Sequence, residues 1–156
     1  MGTSSTKNNK LHNALKRYLN RFYVAKQKQD ELKERLAFLR RELQLHIGDP
    51  DVLLSQQIGS IETSIYDQLE EERRAVRDIM DILDFLPPES VERRILEYRY
   101  IDCKPWEEIC KLVHYTRSPC HEHHNQALKT LLTYKRVRDK VEAYEVRMKR
   151  YASDNY

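Results

Sequence analysis

The apolar residues at the start of the chain recur on a fixed period, and that period leaves few folds open. Leu11, Tyr18, Ala25, Leu32 and Leu39 stand seven apart, and Leu15, Phe22, Leu36 and Leu43 fall on the interleaved set, with Gln29 as the polar exception. This 3-4 alternation puts one apolar stripe along one side of a helix, as in a coiled-coil seam. It predicts a helix from about residue 10 to Ile47, roughly 55 Å long at the α-helical rise. Gly48-Asp49-Pro50 follows. Gly suits the end of one helix, Asp can cap the next, and Pro starts it. A second stripe, Leu54, Ile58, Ile61, Ile65, Leu69, Val76, Ile79 and Leu83, predicts a helix over 51–84 with a polar centre at Gln68 and Glu72. Two long helices joined by so short a turn form an antiparallel hairpin. A hairpin buries one face of each helix and leaves apolar surface over. A third partner is therefore expected, either the C-terminal helix or a second copy of the chain.

The rest of the composition agrees with long helices. The chain has 156 residues, enough for one domain with an extension, and 34 % of them are charged, with only three Gly and five Pro to interrupt. No run is long and apolar enough to cross a bilayer. The opening MGTSSTKNNK is polar and lacks the apolar core of a secretory signal. Three Cys without framework spacing suit a reduced, cytoplasmic chain. Charge is segregated: residues 1–47 balance at +7, residues 48–86 at −7 and residues 87–156 at +3. The first two segments are expected to lie against each other, charge against charge. The rival reading is that the basic segment faces nucleic acid.

Leu86-Pro87-Pro88 ends the second helix, because neither proline can continue it. Val91, Ile95, Leu96, Tyr98 and Tyr100 predict a helix of about twelve residues. After Asp102-Cys103-Lys104, Pro105 suits the first position of a new helix. Glu107 and Glu108 favour its positive N-terminal end. Trp106, Ile109, Leu112 and Val113 give that short helix an inward face. His114-Tyr115 follows, and Thr116-Arg117-Ser118-Pro119 opens another helix, with Ser118 or Thr116 as its cap. Ala127, Leu128, Leu131 and Leu132 close it. A short helix, a tight turn and a longer helix make a helix-turn-helix. The helix is then expected to continue past Leu132, carrying Tyr134, Val137, Val141, Tyr144, Met148 and Tyr151 on one stripe.

The segment LPPESVERRILEYRYIDCKPWEEICKLVHYTRSPCHEHHNQALKTL resembles region 4 of bacterial sigma factors. The matching pieces are Leu86-Pro87, Glu92-Arg93, Ile95 to Tyr100, Glu107 to Cys110, Thr116-Arg117 and Ala127-Leu128 with Leu131. The stretch that binds core polymerase and melts promoter DNA in those factors has no counterpart. A short chain with a helical front and a sigma-4-like back resembles the small phage-encoded transcription regulators of the ArpU and RinA kind. That resemblance implies binding to double-stranded DNA. Two departures stand out. His114 occupies a turn position where the family usually has Gly, and a left-handed backbone there is tolerated by His better than by most residues. The helix after Arg117 carries fewer arginines than is usual in that family, so its phosphate attraction should be weaker.

The N-terminal half of the second helix of such a motif enters the major groove. Candidate DNA-binding residues are Lys104, Thr116, Arg117, Ser118, His121, Glu122, His124, Asn125 and Lys129. Arg117 can bond guanine or phosphate, Asn125 can pair with adenine, and Glu122 can accept from cytosine. Lys104, Lys111 and Lys129 suit phosphates. Cys120 should pack inward, and His123 should face inward as a hydrogen-bonded residue. Cys110, His114, Cys120 and His124 read C-x3-H-x5-C-x3-H, a legitimate zinc set by residue type. The spacing matches no familiar finger, so no metal or other cofactor is expected. The chain has no Gly-rich loop and little irregular backbone to shape a cleft, so no enzyme is expected.

The expectation is thus an all-α protein. Residues 1–9 are a flexible tail, 10–85 the hairpin, 86–133 the helix-turn-helix and 134–156 a C-terminal helical extension. Its expected partners are double-stranded DNA and a second copy of itself, with RNA polymerase as a further candidate and no membrane, and its expected place is the nucleoid of a bacterial host. The alternative is a protein-docking module that binds RNA polymerase or another host protein without reading DNA.

Overall fold

Every regular element in the computed structural model, which describes residues 2–45 and 51–155, is a helix. The described chain is all-α: α1 (Gly2–Leu19), α2 (Arg21–Leu45), α3 (Val52–Leu83), α4 (Val91–Tyr100), α5 (Trp106–Val113), α6 (Arg117–Leu132) and α7 (Lys135–Asp154). The expected reversal at Gly48-Asp49-Pro50 lies outside the described residues. Asp51 Oδ1 accepts from the Leu54 N–H at 2.9 Å and so caps the start of α3. No helix among the described residues is long and apolar enough to cross a membrane.

The heptad positions are all withdrawn from solvent. Leu15, Tyr18, Ala25, Gln29 and Leu36 are buried, and Leu11, Phe22, Leu32, Leu39 and Leu43 are half-buried. Two features depart from the spacing. The first helix begins at Gly2, so residues 2–9 form its opening turns, although residues 3–10 are exposed. That polar run holds no proline and no internal glycine to stop a helix entering from Leu11. The long helix is also interrupted at Asn20, whose N–H still donates to the Lys16 carbonyl at 2.9 Å. Asparagine competes for nearby backbone groups and weakens a helix interior. Arg21, the next residue, is drawn inward. It is 9 % exposed, its Nη1 lies 2.8 Å from Asp78 Oδ2, and its guanidinium sits 5.0 and 4.8 Å from the ring centres of Tyr18 and Tyr144.

The chain divides into two compact units, one of them Phe22–Val76 and the other formed by residues up to Arg21 together with those from Arg77 onward. In the Phe22–Val76 unit, Leu36, Leu54 and Ile58 form the core, with Leu39, Leu43, Ile61 and Ile65 packed against it. The Gln68 side-chain amide donates to the Ala25 carbonyl at 3.1 Å, and Arg40 pairs with Glu62 at 3.0 Å. Later positions of α2 therefore meet earlier positions of α3. A polar layer interrupts this packing: Gln29 Oε1 and Glu72 Oε1 are both buried and accept no hydrogen bond.

In the other unit, α1 packs on α6 and α7, α4 packs on α5 and α6, α5 packs on α6, and α6 packs on α7. Leu15, Leu19, Leu96, Leu128, Leu131 and Val137 are among its fully buried side chains. Arg17 forms a two-pronged bond to Glu145, at 2.8 and 3.0 Å, and Tyr18 meets Tyr144 edge-on at 5.5 Å. These contacts tie α1 to α7. The turn at Leu86-Pro87-Pro88 lies inside this unit. The expected continuous helix past Leu132 is broken instead. Tyr134 is extended, at φ −87° and ψ 124°. Arg138 folds back to donate to the carbonyls of Leu132 and Thr133, at 2.8 and 3.0 Å. A cation at those carbonyls satisfies the C-terminal end of α6, which lets α7 leave in a new direction.

Candidate functional site

The site is built on α4, α5 and α6. Ser90 starts α4: its Oγ accepts from the Arg93 N–H at 3.2 Å and donates to the Pro87 carbonyl at 2.8 Å. Arg93 then bridges Asp84 at 2.9 Å and Glu97 at 2.8 Å, which fixes the end of α3 to α4. Ile95, Ile109, Val113 and Cys120 form the core beneath, with Val91, Tyr98, Trp106 and Cys110 against it.

Between α5 and α6 the backbone turns sharply. His114 is left-handed, at φ 60° and ψ 37°, and the Tyr115 N–H donates back to the Cys110 carbonyl at 3.1 Å. This is the bond pattern of a helix stop that glycine usually serves. Thr116 is extended and stands at the cap position of α6, though its hydroxyl makes no capping bond. Pro119 falls in the first turn, where a missing N–H costs nothing.

Helix α6 is two-faced. Cys120, His124, Ala127, Leu128 and Leu131 are buried. Ser118, Glu122, Asn125 and Lys129 are exposed. Their spacing of four, three and four residues puts them on a single stripe away from the buried one. Thr116 and Arg117 are exposed at the helix entry. His121 is half-buried, with its ring 4.4 Å from that of Trp106. Lys104 is paired with Glu108 at 3.0 Å and Lys111 with Glu107 at 3.7 Å.

One expected contact residue is displaced. His124 does not face solvent: it is 3 % exposed, its Nε2 lies 2.8 Å from the Tyr100 hydroxyl, and Trp106 meets it edge-on at 4.9 Å. A single residue step turns the helix by about 100°, so Asn125 faces out while His124 faces in. Burial is the main cause that pushes the His124 pKa down to about 4. Burial also lifts Tyr100 to about 12. His123 is half-buried and hydrogen-bonded, with Nδ1 2.9 Å from Glu92 Oε1. That bond holds the Glu92 carboxyl below its usual range.

The four Cys and His positions of the zinc-like spacing do not converge. Cys120 is buried beside Cys110, and burial first, then that neighbour, raise its thiol to about 11. His114 is exposed and His124 is held by Tyr100. Among the described residues no group of three or more His, Cys, Asp or Glu is placed to hold a metal ion.

A groove runs beside the exposed stripe and was not legible from the helix-turn-helix segment alone. His12 and Lys16 of α1, Asn125 and Lys129 of α6, and Arg138 of α7 line one stretch of it. The adjoining stretch shares Lys16 and Asn125 and adds Arg99, Tyr100, Trp106 and His121. Asn125 and Lys129 were singled out from sequence, and the first segment balances at +7, but neither signal says which cations of α1 face α6. No family model, curated protein or solved structure matches the chain.

Proposed function

We propose that this protein is a sequence-specific binder of double-stranded DNA that regulates transcription, with α5, the His114 turn and α6 acting as a helix-turn-helix. The observation that carries the reading is the two-faced α6. It follows a short helix and a left-handed turn, and it presents Ser118, Glu122, Asn125 and Lys129 to solvent beside Arg117. Those residue types suit base edges and phosphates: Asn for adenine, Glu for cytosine, Arg for guanine or phosphate, Lys for phosphate. The sigma-4 resemblance supports the same reading and adds a phage or prophage origin. In this reading Phe22–Val76 is an antiparallel hairpin that spaces or pairs two copies, and its buried polar layer suits a register-setting role. Such a homodimer presents two reading helices about one DNA turn (~34 Å) apart.

The second reading is a module that docks on RNA polymerase without reading DNA. One observation favours it: Lys104 and Lys111 are paired with Glu108 and Glu107, which weakens the phosphate attraction of the α5 side.

Selection from a random duplex library with the full chain at near-physiological salt tests the first reading. Enrichment of a motif is the expected result. No enriched motif, together with weak binding even at low salt, contradicts it, and capture of RNA polymerase by the same preparation then supports the second.

A further inference from the structure

We propose that the groove between α1 and α6 holds one phosphate strand of the bound duplex, with Lys16 and Lys129 as its phosphate-binding pair. This rests on the DNA-binding reading above and adds α1, outside the helix-turn-helix, to the interface.

The groove is electropositive. No Asp or Glu is among the side chains that line it. Lys16 and Lys129 form no ion pair among the described residues. Arg138 and Arg99 donate to backbone carbonyls, so their positive charges stay uncompensated. Lys104 and Lys111, outside the groove, each have a carboxylate partner, and of the described cations within it Arg17 alone is paired, with Glu145. The field is felt by groups in the groove. His12 is pushed below its ordinary value by burial and then by Lys16 and Lys129. Lys16 also adds to the lowering of His124.

Position selects the anion. Asn125 and Lys129 belong both to the groove and to the exposed stripe of α6. A helix seated in the major groove has a phosphate strand along each flank, so a strand in this groove follows directly from α6 reading bases. A single strand would need an open aromatic face for its bases to stack on. Trp106 offers none: Arg99 lies over it at 5.0 Å, His121 sits at 4.4 Å and His124 at 4.9 Å. The Asn8, Asn9 and His12 side chains beside Lys16 can donate to phosphate oxygens as well, which leaves Asn125 for the bases.

The test is the affinity of the full chain for two duplexes, one with the selected site and one scrambled, across a range of salt. Lys16→Gln should weaken both duplexes by the same factor. It should also flatten the plot of log affinity against log salt by about 0.9, one phosphate contact. Lys129→Gln should do likewise, and Lys16→Arg should keep the original slope. Lys33→Gln removes an equal charge from α2, outside the groove, and should leave the slope unchanged. Wild-type binding with slopes unaltered in both Gln variants overturns the groove and leaves the DNA reading intact. A slope lost equally in Lys33→Gln overturns it too, because net charge alone then explains the effect. If the wild type binds neither duplex, both ideas fall, and the groove is open to an acidic protein segment.

Discussion

His114 forms the turn before α6 and His124 lies ten positions on, inside that helix, and physics treats them differently. His114 is exposed and left-handed, at φ 60°. A left-handed residue with a Cβ costs about 1–2 kcal/mol, and a glycine avoids this at some cost in chain entropy. A β-branched residue is worst placed there. His114→Gly should therefore be more stable than His114→Val by at least about 1 kcal/mol, read as a shift in urea midpoint at constant slope. His124 is neutral in the fold because burial holds its pKa near 4, against 6.5 for the unfolded group. The unfolded chain thus binds the extra proton first. Stability is complete above pH 6.5 and declines as pH falls toward 4, by about 3 kcal/mol from this group. His12, also lowered, acts in the same direction. His124→Asn should be less stable than wild type at pH 7.5 and should lose less between pH 7.5 and 4.5. An equal loss in both proteins contradicts the assignment. Sequence made His114 legible as a turn residue, because it falls between two helix patterns where a left-handed residue is needed. The spacing also marks His124, which stands four residues after Cys120 and four before Leu128 on the apolar stripe of α6; its polar ring is what argued for the solvent face.

At the scale of elements, periodicity carried most of the information. The heptads place Leu15, Tyr18, Ala25 and Leu36 inward, and these are buried. Pro105 and the two acidic residues behind it mark the start of α5, which runs Trp106–Val113. The breaks were not legible. Asn20 keeps the seam in phase while interrupting the helix, and Thr133-Tyr134 lies in a run whose apolar spacing continues unchanged. Each break has an arginine contact beside it, Arg21 with Asp78 and Arg138 with the end of α6, and apolar spacing does not record such contacts. Gln29 is the polar break in the α2 seam. Its Oε1 is buried without a partner, and a buried, unbonded acceptor costs about 1–3 kcal/mol. Gln29→Leu continues the apolar seam and should raise stability by about 1–2 kcal/mol, seen as a higher thermal midpoint. A lower midpoint would mean that Gln29 bonds within the seam in solution.

For the whole molecule, the all-α class follows from the composition and the two long stripes. Sequence offered the C-terminal helix and a second copy as alternative partners for the N-terminal helices, and did not choose between them. Arg17 and Glu145 stand 128 residues apart and meet at 2.8 Å, and no local pattern announces so distant a pair. The return of α1 to α7 puts Lys16 beside α6 and makes the groove. If two copies pair, the selected motif should show two half-sites about 10 base pairs apart, and sedimentation at micromolar concentration should give twice the 18.8 kDa chain mass. If α6 reads bases, Asn125 carries part of that reading. The most direct test is the base preference of Asn125→Ala, measured position by position across the selected site. Preference should relax at one position per half-site, by about 1–3 kcal/mol, while the other positions keep theirs. A uniform loss across all positions, or none, would contradict base reading and leave α6 as a surface that touches DNA without reading it, or does not touch it at all.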